Sequence, residues 1–520
     1  MRILAFQTKM MEDVYMSKVK RIFVEHGMEI PFHNGMDFCV GTGRMGLALH
    51  KEYYEQLKMV QDVIGFKHIR GHGLFCDDMA ICQSYEDESG KQVFEYNFTY
   101  LDRVMDSYIS LGVRPFLELG FMPEKMASGN QTVFYWKGNV TPPKNYNDWT
   151  AMVQALLRHL IERYGKEDVL QWPIEVWNEP NLKGFWKDGN MQEYFKLYEY
   201  TALAVKEVNP AFKIGGPAVC GGTDKIWIRS FLEYVREKKL PLDFITRHHY
   251  ATYLPEKSGH YEYTKLHNLG ESFQLLETTR EIVDSFDEFS GMDIHITEFN
   301  TSYVPDCPLH DTNLNAAYTA AMLSLLGDKH ASYSYWTFGD VFEEKGVPFT
   351  PFHGGFGMVA NGCIPKPTFW TFAFYKQLQG NCVHRSDEAI IVQLPDGNYR
   401  GILWNMDVNY TGESLELEFQ LPSKHTDYCL MSKTVDEECC NPLKLWHDMG
   451  EPANLSTEQI ALLKEHAVPL IKSESIVSTE LGIDISFQLK PNAVIYFELK
   501  KVERKSDRGY SYDRILKGER

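Results

Sequence analysis

Two glutamates in this chain stand where paired acid and base chemistry could be done. One lies in Glu175-Val176-Trp177-Asn178-Glu179-Pro180-Asn181, the other in His295-Ile296-Thr297-Glu298-Phe299-Asn300. Each follows a short apolar run, so each falls where a strand ends and a loop begins. A single Glu at such a point is ordinarily a solvated loop residue. Two at matching strand ends suit the cleavage of an acetal, which needs one protonated carboxyl for the leaving oxygen and one ionised carboxylate against the developing cation.

The elements needed to position them can be read from the pattern around them. Eight apolar or β-branched runs alternate with helical patterns: Phe38–Gly41, Phe66–Arg70, Val113–Leu119, Trp172–Trp177, Lys213–Gly216, Asp243–His249, Asp293–Glu298 and Ser332–Thr337. This is the rhythm of βαβ units, and eight of them predict a closed (β/α)8 TIM barrel. A doubly wound sheet would bring a Gly-rich phosphate loop, and none is present. Asn147–Arg163, Met191–Val208 and Glu271–Phe286 carry apolar residues at i, i+3, i+4 spacing and read as outer helices. In such a barrel the ends of the fourth and seventh strands face each other across the mouth, which is where Glu179 and Glu298 fall.

Beyond residue 365 the pattern shifts to short alternating strands, including Ala389–Leu394, Tyr399–Asn405 and Ala493–Leu499, separated by turn signals. The expected organisation is an N-terminal segment, 1–37, packing with a β-sandwich; a barrel over 38–364; the sandwich over 365–500, with a helical insertion near 456–465 whose Ile460, Leu462 and Leu463 pack locally; and a charged tail over 501–520.

Composition narrows the partners. Lys and Arg number 53 against 71 Asp and Glu, a net charge of −18 that disfavours nucleic acid and anionic membrane surfaces. A neutral or cationic ligand is easier to accept, a small molecule or oligosaccharide among them. Although most of the 10 Trp and 29 Tyr are expected in the core, some could offer flat apolar faces to a sugar ring. The ten cysteines form no CxxC pair or regular framework and read as thiols. No signal-peptide pattern opens the sequence, which predicts a cytoplasmic protein. Metal-binding HExxH spacing is absent. Assembly into a homo-oligomer is compatible with the sequence.

Taken together, the segments WNEPN, ITEFNTSY, RGHGLFCDD, LELGFMPEKMASG and FHGGFGM resemble the β-xylosidases of glycoside hydrolase family 39. The resemblance implies a retaining, exo-acting enzyme that removes terminal xylose through a covalent glycosyl-enzyme, a chemistry that requires no metal, so neither metal nor cofactor is expected. It makes Glu179 the acid/base and Glu298 the nucleophile, with Asn178 on the sugar 2-hydroxyl. His72, Phe121, His248, Tyr250, Trp336, Glu343 and Glu344 would line the subsite for the nonreducing sugar, and the Trp336-Thr337 bond is expected to be cis. The carboxyls should lie roughly 5–5.5 Å apart, with ionised Glu298 raising the pKa of Glu179. His249 departs from the expected pattern, and Asp77 and Asp78 read equally well as structural or sugar-contacting. An α-L-iduronidase of the same family would need cations facing a substrate carboxylate, and a non-catalytic carbohydrate binder would have no use for both glutamates.

Overall fold

The computed structural model describes residues 18–423, 427–502 and 509–518. The reading of 1–37 and of the tail therefore falls partly outside the described residues.

Eight parallel strands form the barrel: β1 (Cys39–Thr42), β2 (His68–Gly71), β3 (Arg114–Pro115 and Leu117–Leu119), β4 (Ile174–Val176), β5 (Ile214–Val219), β6 (Phe244–Tyr250), β7 (Ile294–Asn300) and β8 (Ser332–Tyr335). β3 is interrupted at Phe116: its first part pairs with β2 and its second with β4. With β8 paired to β1, the ring closes. Eight helices follow the strands: α1 (Lys51–Val63), α2 (Thr99–Ser110), α3 (Tyr146–Tyr164), α4 (Met191–Val208), α5 (Asp224–Lys238), α6 (Leu269–Asp284), α7 (Asn313–Leu326) and α8 (Pro367–Tyr375). Local chemistry sets several of their ends. Asn145, Asn190 and Asn268 cap α3, α4 and α6 by accepting backbone N–H bonds, and Gly165, with φ of 90°, ends α3.

A boundary at residue 364 would leave α8 to the sandwich. In the structure its Phe372 packs on Phe66, Phe299 and Tyr335, and so it closes the barrel wall beside α7.

The sandwich has a three-stranded sheet, in which Lys18–Phe23 pairs in parallel with Leu415–Leu421, itself antiparallel to Ile483–Leu489. Burial alternates along these two longer strands, as expected where one face is solvated. The facing six-stranded sheet contains Ala389–Gln393 and Tyr399–Trp404, which are buried almost throughout. One side of this sheet meets the three-stranded sheet, while Ile390, Ile402 and Tyr496 join the barrel's core. The helical insertion, Pro442–Asp448 and Thr457–His466, seats Trp446 and Leu463 against Phe352 and Ile364 of the barrel. Leu463 is buried as expected, but Leu462 is 51% exposed, because one residue along a helix turns the side chain about 100° away from the buried stripe.

A buried ion triad fixes the loop after β8. Lys366 lies between Asp311 and Asp340, 2.6 Å from each, and donates to Gly355 O at 2.8 Å. The same aspartates accept from Gly354 N and Gly357 N. A side chain at 357 would strike the Gly339 backbone at 2.4 Å, which explains one glycine of the HGGFG segment. The loop thereby holds Phe356 against Phe342, whose ring meets Trp336 edge-on.

Replacing Lys366 with Met should strand two buried carboxylates and cost about 3–5 kcal/mol of stability. Denaturant unfolding measures this, and a change below 1 kcal/mol would remove the triad's structural role.

Candidate active site

The site is built at the C-terminal ends of β2, β3, β4, β6, β7 and β8. At its centre the Arg70 side chain, wholly buried on β2, donates from Nε to Glu175 Oε2 at 2.5 Å, from Nη1 to Glu298 Oε1 at 2.7 Å and from Nη2 to Asn178 Oδ1 at 2.9 Å. Glu118 Oε2 lies 3.0 Å from Nη2 and 2.7 Å from His72 Nδ1. One guanidinium therefore faces three carboxylates. Sequence reasoning singled out none of Arg70, Glu118 or Glu175, although charged residues inside apolar strand runs were the available signal.

Glu179 follows β4 on a backbone with φ of 43°, and Trp177 before it has φ of 70°. Bulky residues occupy this left-handed region at a cost of roughly 1–3 kcal/mol, and only where neighbouring structure enforces it. Here Glu179 N donates to Ala218 O at 3.0 Å, while Asn181 exchanges hydrogen bonds with the Cys220 backbone at 3.0 and 3.2 Å. The WNEPN turn is thus laced to the end of β5.

Glu298 reaches the interior through a register shift. Arg247 is opposite Ile296 but His248 is opposite Glu298, so β7 carries one extra residue at that point. Thr297, bonded to Glu175 Oε1 at 2.8 Å, and Glu298 both turn into the barrel, contrary to simple alternation. Tyr250 donates its hydroxyl to Glu298 Oε2 at 2.7 Å.

The structure brings Glu179, His248 and Glu298 together. His248 Nδ1 is 2.8 Å from Glu179 Oε1 and 3.3 Å from Glu298 Oε2, and one oxygen of each glutamate with a ring nitrogen all fall within 4.8 Å. Burial, reinforced by the charges of Arg70, His72 and Arg247, holds His248 well below the usual imidazole range, so it is neutral. Glu179 is pushed up to about 8, first by burial and second by the charge of Glu298. The expectation from sequence had that charge as the driver; loss of solvent is the larger cause because Glu179 is only 7% exposed.

The remaining expected residues are placed as follows. His72 packs on Trp336 at 4.6 Å, and the Trp336-Thr337 bond is cis. Phe121 has no exposed surface and backs His72 at 5.9 Å, so it supports the site from behind. Glu343 pairs with Arg44 at 2.8 Å, and Arg44 also pairs with Asp78. Asp77 accepts from Glu124 N. Glu344 sits close enough to Glu298 and Glu179 that their charges add to burial in raising its carboxyl well above the ordinary range. His249 points away from the site and pairs with Ser272 of α6.

Among the described residues, Glu179, His248 and Glu298 are the one cluster with metal-ligand spacing. The Arg70 charge, 2.7 Å from Glu298, opposes a cation there, and the donor set is already engaged in hydrogen bonds.

Two facing glutamates at the mouth of a (β/α)8 barrel, one raised by burial and one held by an arginine and a tyrosine, define a glycoside hydrolase. The description of glycosyl hydrolases family 39 matches residues 23–481, and this chain belongs to that family. It is 47% identical to a β-xylosidase of Geobacillus stearothermophilus over 91% of this chain and 94% of that one. To a β-xylosidase of Caldicellulosiruptor saccharolyticus it is 35% identical, over 93% and 99%. The crystal structure of the GH39 enzyme from Xanthomonas axonopodis pv. citri superposes with a TM-score of 0.83 at 29% identity, over 94% and 98%.

If the protonated form of Glu179 is the active one, kcat/KM should fall as pH rises through its elevated pKa of about 8. In Glu298→Gln the Glu179 carboxyl should titrate lower than in the wild type yet stay above the ordinary value of about 4.3, since burial persists. Carboxyl-selective 13C NMR reads this directly; a return to about 4.3 would make charge rather than burial the main cause.

Proposed function

We propose that this chain is a retaining, exo-acting β-xylosidase that releases terminal xylose from xylooligosaccharides, with Glu179 as acid/base and Glu298 as nucleophile. The observation that carries the roles is their unequal surroundings across one narrow gap: Glu179 is buried and raised, whereas Glu298 accepts from Arg70 and Tyr250. In the first step Glu179 gives its proton to the glycosidic oxygen while a Glu298 oxygen forms the bond to the anomeric carbon and the leaving alcohol departs. Esterification removes the Glu298 charge and lowers the Glu179 pKa. Glu179 then takes a proton from water, which attacks the same carbon, releases Glu298 and yields xylose of retained configuration.

Neighbouring groups fit these roles. Neutral His248 can donate Nδ1–H to Glu179 Oε1, leaving the other oxygen to carry the proton. Arg70 holds Asn178 Oδ1, so the amide NH2 is the donor available to a sugar 2-hydroxyl. His72, Trp336, Tyr250, Glu343 and Glu344 surround a single sugar, and Phe121 braces His72. The cations near the mouth are already paired, Arg44 with Asp78 and Glu343, Lys345 with Glu262 and Asp306. This favours a neutral pentose over a uronic acid.

The finer organisation belongs to the same reading. We take the barrel to run over 38–364 together with α8, and the sandwich to include the N-terminal strand. The ten cysteines, all free thiols, suit a reducing, cytoplasmic location.

Glu298→Ala should abolish turnover of β-xylosides with ordinary leaving groups. Glu179→Ala should keep activity on aryl xylosides with very good leaving groups, and azide should restore it, giving β-xylosyl azide; with Glu298→Ala azide should give the α-azide. Product NMR decides: exchanged azide products would exchange the two roles, and α-xylose as the first wild-type product would overturn retention.

A further inference from the structure

The loops around the mouth are tied together unevenly. On the side of Glu343 and Glu344, Tyr135 N from the loop after β3 donates to Glu344 O at 2.8 Å, and Arg44 holds Glu343. Phe134 lies over His72 at 6.0 Å on the same side. That side is a closed end suited to a terminal sugar. On the other side, a hairpin after β6 (Glu256–Ser258 and Tyr261–Tyr263) is anchored to the loop after β7 by Glu262 N donating to Asp306 O at 3.1 Å. Lys345 then joins both to the loop after β8, 2.7 Å from Glu262 and 2.8 Å from Asp306.

Tyr303 stands on this second side. Its ring lies 6.3 Å from that of Tyr250 at 72°, and Tyr250 is the residue bonded to Glu298. Tyr303 is therefore one ring further out from the reacting carboxylate. It is 41% exposed although Thr301 and Ser302 before it are fully buried and Val304 after it is 7% exposed. Its backbone is pinned on both sides: Ala251 N donates to Thr301 O at 2.8 Å, Thr301 Oγ1 to Asn315 Oδ1 at 2.6 Å, and Val304 N to Ser302 Oγ at 3.3 Å. Among the described residues its hydroxyl has no hydrogen-bond partner. A large aromatic ring exposed on so rigid a backbone, next to a catalytic pocket, is what a ligand-stacking face requires.

We infer that Tyr303 is a specificity-determining residue, the platform on which the leaving sugar of a β-xylo-oligosaccharide stacks while the terminal sugar occupies the closed end. This rests on the β-xylosidase reading above and assigns the side from which the rest of the chain departs. The contact is made by the ring face, with the hydroxyl as an auxiliary donor. It acts on binding of the leaving residue and has no part once the glycosyl-enzyme has formed.

The test compares xylobiose, whose leaving group is a sugar ring, with methyl β-xyloside, whose leaving group has none. In Tyr303→Ala the ratio of kcat/KM for xylobiose to that for methyl β-xyloside should fall about tenfold, chiefly through KM for xylobiose, while Tyr303→Phe should keep the wild-type ratio within about twofold. Equal losses on the two substrates, or an unchanged ratio in Tyr303→Ala, would overturn the platform; a ratio lost equally in Tyr303→Phe would overturn stacking as its basis. Turnover of methyl β-xyloside by Tyr303→Ala reports that the variant is folded. A wild-type protein that cleaves neither substrate would instead overturn the β-xylosidase reading on which the platform depends.

Discussion

The geometry of this site depends on one buried cation. Arg70 sits in the barrel with three carboxylates around it, from β3, β4 and β7, and neutralises charge that could not otherwise be kept out of water. Its planar fork also sets directions: Glu175, Glu298 and the Asn178 amide each accept from a different nitrogen, and Glu118 lies 3.0 Å from the one that serves Asn178. A lysine at the same place would supply charge without that fan of bonds. Burial raises Glu175 even with this partner beside it, which shows how large the desolvation penalty is at this depth.

Around this centre the same balance produces unlike environments for two chemically identical side chains. Glu298 lies against the guanidinium and the Tyr250 hydroxyl, whereas Glu179 is held by a neutral imidazole and a turn with left-handed backbone. The strain in that turn is sustained by hydrogen bonds to the end of β5, and Trp336 is backed by a loop that the Lys366 triad holds. Rigidity therefore comes from polar networks hidden behind the site as well as from apolar packing. The cost is several buried charges whose partners must all be present for any one to be tolerated.

Much of the molecule was legible beforehand because it rests on local periodicity. All eight barrel runs overlap barrel strands, and α3, α4 and α6 match the helical patterns to within a few residues. The two-residue alternation of Leu415–Leu421 and Ile483–Leu489 follows from one solvated face. Where periodicity failed, packing was the reason. The helix Pro367–Tyr375 is apolar around most of its surface, so its sequence does not say that it belongs to the barrel wall.

The sequence by itself determined the barrel, the sandwich pattern and the two glutamates at strand ends, since strand alternation, helix spacing and residue type are properties of neighbouring positions. Only the tertiary structure decided what surrounds those glutamates. The extra residue in β7 turns Thr297 and Glu298 inward together, and nothing in the local pattern marks it. Arg70, Glu118, Glu175 and Glu298 come from four different strands and meet only when the ring closes. Burial of Glu179, the larger cause of its raised pKa, is likewise a property of the closed barrel mouth, because the loss of water that perturbs a carboxyl depends on every loop that covers it.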